Sequence, residues 1–376
     1  EEVSMKISFL QAWRVLEKKY IQPNEKAAVI ATGLNGFLSI YKDPHTYILP
    51  YKLYEEVLAK LDSRSTNIGI AIQRFSQAVI VRKVIQGTAA DKAGLRRGDR
   101  IVSLNGQKIT ELLPGQISDF LKMKNVDRLA VEIKSQDNNG VTSEKIIEIA
   151  KNEVMIPTVY SRILNGDKRV GIIHINRFTK NVCDSVRSEL LALKKDTLQG
   201  LMLDLRDNPG GQVDEAACVT EMFVDKGSLL FETRYLDNSK PVERYYAKSN
   251  AIYKGPLVVL INSGSASAAE IVAGSLRDLR RAKLVGERSF GKGSFQDGRL
   301  WGANSNVIMF ETQGFYYFPS GWTPQLVGLQ PDVQASFIEE DHQREEDLFF
   351  KPLSPLDSWS GLQSLSWLNE KECVPS

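Results

Sequence analysis

The spacing of apolar positions changes character three times along the chain. Phe9, Trp13, Leu16 and Tyr20 recur at helical spacing, and Ala27, Ile30, Ala31, Leu34, Phe37 and Leu38 do so again behind Asn24, a side chain suited to an N-cap. The two runs predict a helical hairpin, broken at Asp43-Pro44-His45-Thr46 and followed by a short helix over 52–62. Strand-like runs begin at 67–72 and 78–81. A short helix over 87–95 ends in glycine, and a strand over 98–106 runs into an Asn105-Gly106 turn. A helix near 114–124 and strands at 129–134 and 144–149 complete a small, self-contained module. Beyond Val154, apolar runs at 170–175, 201–205 and 256–261 alternate with helical patterns over 181–195, from Val213, and over 266–280. That alternation predicts a mainly parallel sheet with helices on its faces.

Composition narrows the class. The 376 residues, 42% hydrophobic and 25% charged, are enough for more than one packed domain. Lys plus Arg number 48 against 46 acids, which gives no electrostatic case for nucleic acid. No apolar run approaches the ~18 residues of a transmembrane helix. The chain begins at Glu1, which fits either a removed signal peptide or a trimmed chain. Cys183, Cys218 and Cys373 are widely spaced and lack zinc-ligand spacing. They read as one pair plus a free thiol, or as ordinary buried or terminal cysteines; the second is the expectation.

Ser263-Gly264-Ser265-Ala266-Ser267-Ala268-Ala269-Glu270 lies between an apolar strand and a helix. Small residues allow a sharp turn there, and a serine at a helix N-terminus meets N–H groups able to stabilise developing negative charge. An N-capping serine is the plainer reading. Only three histidines exist, His45, His174 and His342, and none stands in a motif that suggests a triad. A desolvated lysine is the alternative base, because burial favours the neutral amine. Lys292, within Gly291-Lys292-Gly293-Ser294-Phe295-Gln296, is not part of a Walker loop.

The run Ser265-Ala266-Ser267-Ala268-Ala269-Glu270 resembles the Ser-Ala-Ser-Ala-Ser-Glu motif of the carboxyl-terminal processing (tail-specific) proteases. The resemblance implies Ser267 as nucleophile, Lys292 as general base and Gln296 as the group that positions the lysine. Asp204-Leu205-Arg206-Asp207-Asn208-Pro209-Gly210-Gly211 resembles the family turn that feeds the oxyanion hole, which implies donors at Gly210, Gly211 and Ala268. Asp43-Pro44-His45-Thr46 with Tyr47, and the Gly328–Val333 stretch, also resemble family motifs. Ala269 departs from the family serine. Asp278 matches an acidic position of some members, and a helix-supporting role is its plainer reading.

Residues 67–150 resemble a PDZ domain through Ala93-Gly94-Leu95, Gly98-Asp99 and Asn105-Gly106. Such a domain captures a C-terminus by strand addition. The resemblance implies carboxylate donors around Gly69, Ile70 and Ala71, with Ile72, Ile117 and Leu121 as candidates for the side-chain pocket; the last three also suit a core. Arg74 and Arg82 are candidates for meeting a carboxylate or coupling this domain to the protease, or are solvated strand residues.

The expected fold class is therefore α/β (mixed α+β): a crotonase/ClpP-like protease core over 153–336, a PDZ domain over 65–152 inserted behind an N-terminal helical region over 1–64, and a C-terminal extension over 337–376. The expected function is a serine endopeptidase that recognises protein C-termini. The competing readings are a catalytically silent PDZ and protease-fold binding protein, or a crotonase-like acyl-CoA enzyme. The resemblance implies no cofactor and no metal. The expected partners are protein or peptide substrates, an activator or adaptor, and a second copy through the N-terminal helices. An extracytoplasmic location, periplasm or cell envelope, is expected of the family.

Overall fold

The computed structural model describes residues 26–41, 43–55, 68–74, 79–85, 87–123, 127–136, 142–150, 157–164, 169–194, 198–300 and 306–335, with single positions at 11, 14, 15, 18, 344 and 346. Phe9, Trp13, Leu16 and Tyr20 of the first expected helix, Cys373, and nearly all of the 337–376 extension lie outside them.

The N-terminal region contributes helix α1 (Lys26–Leu38), strand β1 (Tyr47–Pro50) and a helical turn at 51–55. Strand β1 pairs antiparallel not with its neighbours in sequence but with a strand more than 250 residues later, named below.

The second unit is a sheet of β2 (Ile70–Arg74), β3 (Val79–Val84), β4 (Arg100–Leu104), β5 (Gln107–Lys108), β6 (Arg128–Gln136) and β7 (Thr142–Ala150). Its strand order is β2-β3-β4-β6-β7, with β5 on β4, so β2 ends the order. A short helix α2 (Ala89–Lys92) and α3 (Pro114–Leu121) accompany it. Ile117 and Leu121, four apart on α3, point to one side and are buried among Ile68, Ile70, Val79 and Val81. This unit has its own core, separate from that of the main sheet described next.

The main sheet holds β8 (Val159–Leu164), β9 (Val170–Ile175), β10 (Gly200–Asp204), β13 (Leu257–Ile261), β14 (Lys283–Gly286) and β17 (Val333–Gln334), the intervening strands belonging to a further sheet. Its order is β17-β14-β13-β10-β9-β8, parallel except for the antiparallel β8–β9 pair. Central strands such as Leu257–Ile261 are continuous apolar runs. Helices α4 (Val182–Lys194), α5 (Val213–Glu221) and α6 (Ala268–Asp278) accompany this sheet and pack side by side, α5 between α4 and α6. Helix α6 is buried over almost its whole circumference, which its alanines and Gly274 permit: a Cβ at Gly274 would lie 2.2 Å from the Phe318 ring.

The expected parallel sheet is present, but a further sheet was not anticipated. Strands β11 (Leu229–Tyr235), β12 (Glu243–Tyr246), β15 (Ser294–Leu300) and β16 (Val307–Tyr317) join β1 in an antiparallel sheet of order β1-β16-β11-β12, with β15 on β16. Their polar and aromatic residues are mixed without clean alternation, so no period-2 signal stands out.

The cysteine expectation is corrected. Cys183 and Cys218 form a disulfide with Cα atoms 5.8 Å apart, joining α4 to α5. Their 35-residue separation hides the contact, which exists only because two helices pack side by side. Closing a loop of that length stabilises the fold by about 3–4 kcal/mol in the chain-entropy account. Cys218→Ala is therefore expected to lower stability by about that amount, read as a shift in the guanidinium unfolding midpoint.

Candidate active site

Ser267 stands at the N-cap of α6 with φ 54° and ψ −119°, a backbone conformation that non-glycine residues seldom adopt. A strand-to-helix elbow of this kind projects its side chain away from the chain on either side. The elbow is held from several directions. Ser265 Oγ donates to Leu205 O at 2.8 Å, and Ala266 N–H donates to Asn208 O at 2.9 Å. Asn262 Oδ1 accepts from the N–H groups of Asp207 and Gly264. Elbow and glycine turn are thus one hydrogen-bonded unit.

Gly210 packs directly on this elbow. With φ +95°, a Cβ there would lie 2.7 Å from Ser267 Cβ, 2.8 Å from Ala266 O and 2.9 Å from Ala268 N. Its own N–H is engaged by Asn208 Oδ1 at 2.9 Å, in a turn around Pro209. The expectation that Gly210 is an N–H donor to the oxyanion hole therefore needs amendment. What Gly210 contributes is the missing side chain. Gly211 follows at φ +145°, bridged to Phe178, and Ala268 is the first residue of α6, where a helical N–H has no intrahelical acceptor.

Lys292 arrives from the antiparallel sheet, on the loop leading into β15. Its Nζ donates to Gln296 Oε1 at 2.7 Å and to Ser294 O at 2.9 Å. Gln296 in turn donates from Nε2 to Ser294 Oγ at 3.0 Å and Thr312 Oγ1 at 3.3 Å. Lys292 and Gln296, separated by four residues, come together across a bulge between Phe295 and Gln296.

Three residues that bind this site together received no role from the sequence. Glu270, fully buried, accepts at Oε2 from Ser267 N–H and Lys292 N–H, each at 2.9 Å. At Oε1 it accepts from Gly291 N–H, also at 2.9 Å, and from the Ser289 hydroxyl. One carboxylate thus spans the Ser267 turn and the Lys292 loop. Burial lifts the Glu270 carboxyl to about 7, against the downward pull of these four donors. Tyr316 Oη donates to Lys292 O at 2.8 Å and lies 3.3 Å from Ser267 O. Gln325 Oε1 accepts from Gly293 N–H and Ser294 N–H. Only Glu270 carried a legible signal: Ser-x-x-Glu at a helix start is the capping-box spacing. Tyr316 and Gln325 come from other elements and have no local pattern.

Of the histidines, His45 lies in the N-terminal turn and His342 outside the described residues. His174 is buried on β9, stacked on Tyr160 at 4.5 Å with Nδ1 3.0 Å from Asp204 Oδ2. Asp278 lies at the far end of α6, where Oδ2 accepts from Ser320 N–H at 3.0 Å, so it supports the helix end. Arg82 is buried and reaches out of the second unit: Nε is 3.4 Å from Asp207 Oδ1 and a terminal nitrogen 3.4 Å from Ser263 Oγ. Arg97 adds a contact at 3.5 Å to Asp207 Oδ2, while Arg74 is exposed.

In the second unit, Gly69 has φ +94°, and a Cβ there would meet Thr88 at 2.2 Å. Ile70, Ile117 and Leu121 belong to the core, and Ile72 is half-buried against it. For Ile117 and Leu121 the core reading is the one the structure bears out, because the apolar side of α3 covers the sheet.

Comparison with known proteins finds family matches over two segments of the chain. Residues 169–335 match the model of peptidase family S41 and residues 58–134 that of the PDZ domain. The carboxy-terminal processing protease CtpA of Bacillus subtilis (strain 168) is 25% identical over 337 residues, covering 88% of this chain and 71% of the relative. A probable CtpA-like serine protease of Staphylococcus aureus (strain COL) is 27% identical over 331 residues, 85% of this chain and 63% of that protein's length. Among solved structures, a photosystem II D1 C-terminal processing protease superposes with a TM-score of 0.55 at 27% identity, covering 87% of this chain and 92% of that one. A putative S41 protease from Bacteroides fragilis NCTC 9343, at 19% identity and a TM-score of 0.56 over 73% of this chain and 76% of that one, shares the fold.

Gly210→Ala is expected to lower kcat by about a hundredfold or more while the chain still folds, since the added methyl displaces Ser267 and Ala268 N–H together; steady-state kinetics with a thermal melt checks both. Glu270 makes a second expectation. Its folded pKa lies above the ordinary 4.5, so its contribution to stability is fully present below pH 4.5 and is lost as pH rises through about 7. The span corresponds to about 3 kcal/mol. Glu270→Gln should flatten that part of the stability profile, measured by denaturant unfolding at stepped pH.

Proposed function

Residues 169–335 are a peptidase family S41 domain and residues 58–134 a PDZ domain, and from that premise we infer that this serine-type peptidase takes protein or peptide chains by their C-termini and cuts them through an acyl-enzyme on Ser267. The observation that carries the mechanism is the pair of acceptors on Lys292 Nζ, Gln296 Oε1 and Ser294 O. Both are neutral carbonyls, which anchor the nitrogen without the pull that a carboxylate exerts towards the ammonium form.

The steps follow. Ser267 Oγ attacks the scissile carbonyl carbon as Lys292 takes the hydroxyl proton. The oxyanion develops against the N–H groups of Gly211 and Ala268 beside Gly210, with the dipole of α6 aligned to it. The C–N bond breaks as Lys292 returns the proton to the leaving amine. Water then attacks the ester carbonyl, Lys292 taking its proton and passing it to Ser267 Oγ as the acyl C–Oγ bond breaks and the new C-terminal acid leaves.

The PDZ unit suits capture of a C-terminus in two respects: β2 ends its sheet order, and Gly69 at its head holds a left-handed backbone. The Arg82 and Arg97 contacts to Asp207 give an occupied PDZ domain, or an activator or adaptor bound to it, a physical route to the oxyanion turn. The exposed Ile30, Phe37 and Ile40 near α1 favour self-association through the N-terminal helices. The Cys183–Cys218 disulfide favours an oxidising compartment, the periplasm or cell envelope.

The test is cleavage of an unfolded protein with an apolar C-terminus between about pH 6 and 10. Ser267→Ala and Lys292→Ala should each abolish turnover, and the wild-type rate should rise as a lysine-like group loses its proton. Turnover surviving in Lys292→Ala would remove the proposed base. An inert wild type that still binds C-terminal peptides would point to a binding protein.

A further inference from the structure

The relay that aims Lys292 does not stop at Gln296. Gln296 faces Thr312 across the β15–β16 pair, and its Nε2 donates to Thr312 Oγ1 at 3.3 Å. The backbone N–H of Thr312, a buried residue, donates to Thr46 Oγ1 at 3.0 Å. The Thr46 hydroxyl donates to Asp43 Oδ2 at 2.6 Å, and Asp43 Oδ1 accepts from His45 N–H at 3.0 Å. The chain of contacts therefore runs from the turn between α1 and β1 to the lysine nitrogen. It crosses from the N-terminal region into the catalytic core, some 266 residues away in sequence.

Its polarity is dictated from the N-terminal end. An ionised carboxylate only accepts, so Asp43 forces the Thr46 hydroxyl to donate to it. The Thr46 oxygen then faces Thr312 as an acceptor and fixes the Thr312 backbone. At the other end, Thr312 Oγ1 and Ser294 Oγ are both within reach of Gln296 Nε2, which places Oε1 towards Lys292 Nζ. A flipped amide would set NH2 against the lysine's own hydrogens. Strand β1 holds the turn in register, Tyr47 opposite Phe310 through Pro50 opposite Val307.

We propose that Thr46, anchored by Asp43, is a positioning residue for the Ser267–Lys292 reaction, acting through Thr312 and Gln296, so that docking of the N-terminal region on β16 sets the orientation of the base. This rests on Lys292 being the base. It gives the Asp43-Pro44-His45-Thr46 turn a role in turnover that its distance in sequence from the catalytic residues conceals. The carboxylates alongside are Asp43 at the end of the relay, Glu270 on the Lys292 backbone N–H, and Asp297 and Glu311, the next facing pair on β15 and β16.

Thr46→Val keeps the shape of the side chain and removes the hydroxyl. The readout is the pH profile of kcat, together with KM, on an unfolded protein substrate. The expected result is a kcat lower by about ten- to a hundredfold, with KM little changed and the rising limb moved to lower pH. The sign follows because a misaimed Gln296 no longer accepts from the ammonium form, which then gives up its proton more readily. Thr46→Ser should recover most of the rate and return the limb. Thr312→Val, which removes the Gln296 contact without touching the N-terminal turn, should move rate and limb the same way and serves if Thr46→Val fails to fold. A wild-type profile in both valine variants overturns the relay, and so does a reduced rate with the limb unmoved, since a merely structural defect gives that. Lys292→Ala in parallel separates the two ideas: if it keeps turnover, the base assignment itself falls, and if it is inert while Thr46→Val and Thr312→Val behave as wild type, only the relay falls.

Discussion

The site depends first on one buried carboxylate. Ser267 sits on a helix flanking the parallel sheet and Lys292 on a loop of the antiparallel sheet, so the proposed nucleophile and the proposed base belong to different layers. Glu270 ties the two, with Ser267 N–H and Lys292 N–H on one oxygen and Gly291 N–H and Ser289 Oγ on the other. A carboxylate buried without partners would cost several kcal/mol. Four donors offset much of that cost, and every one of them belongs to the catalytic framework. The same group that makes the interior expensive makes its geometry specific, since loss of any partner leaves charge unsatisfied.

Around that bracket the remaining restraints are neutral and short-range. Tyr316 and Gln325 hold the lysine loop by its backbone, Asn262 and Asn208 hold the glycine turn, and Gly210 fits only because nothing projects from its Cα. Such a site is preorganised through backbone atoms, leaving few side chains to be ordered when substrate arrives. At the C-terminal side, Arg344 donates to the carbonyls of Arg288 and Ser289, and Glu346 meets the Arg288 guanidinium. The extension therefore touches the same segment whose Ser289 hydroxyl reaches Glu270.

The two other units meet this framework at different places. The PDZ unit arrives through Arg82 and Arg97 at Asp207, a residue with φ 58° one position before Asn208. The N-terminal region arrives through Thr46 at Thr312. One contact bears on the proposed oxyanion turn and the other on the strand beside the proposed base. The first is a set of polar contacts, while the second sits beside the β1–β16 pairing and the packing of Tyr47 and Tyr54 on Phe310.

The candidate residues Ser267, Lys292 and Gln296 were legible as short near-neighbour motifs that resemble those of a family; taken alone, local physics reads the serine as an N-cap and the lysine as a loop residue. The PDZ unit and the parallel sheet were legible for a similar reason, because period-2 runs, Asn-Gly turns and alternating strands and helices are near-neighbour patterns. Even Glu270 lies within reach of such reasoning, at the capping-box position behind Ser267. What only the tertiary structure decided are contacts between residues far apart in sequence: the Cys183–Cys218 bond, the hold of Tyr316 and Gln325 on the lysine loop, the Arg82 contact with Asp207, and the pairing of β1 with β16. It also decided that Ile117 and Leu121 serve the PDZ core, and that the Gly210 N–H is spent within its own turn. Local physics specifies which residue types can form an elbow or a turn. Which distant groups satisfy the remaining hydrogen bonds is settled only when the sheets and helices have packed.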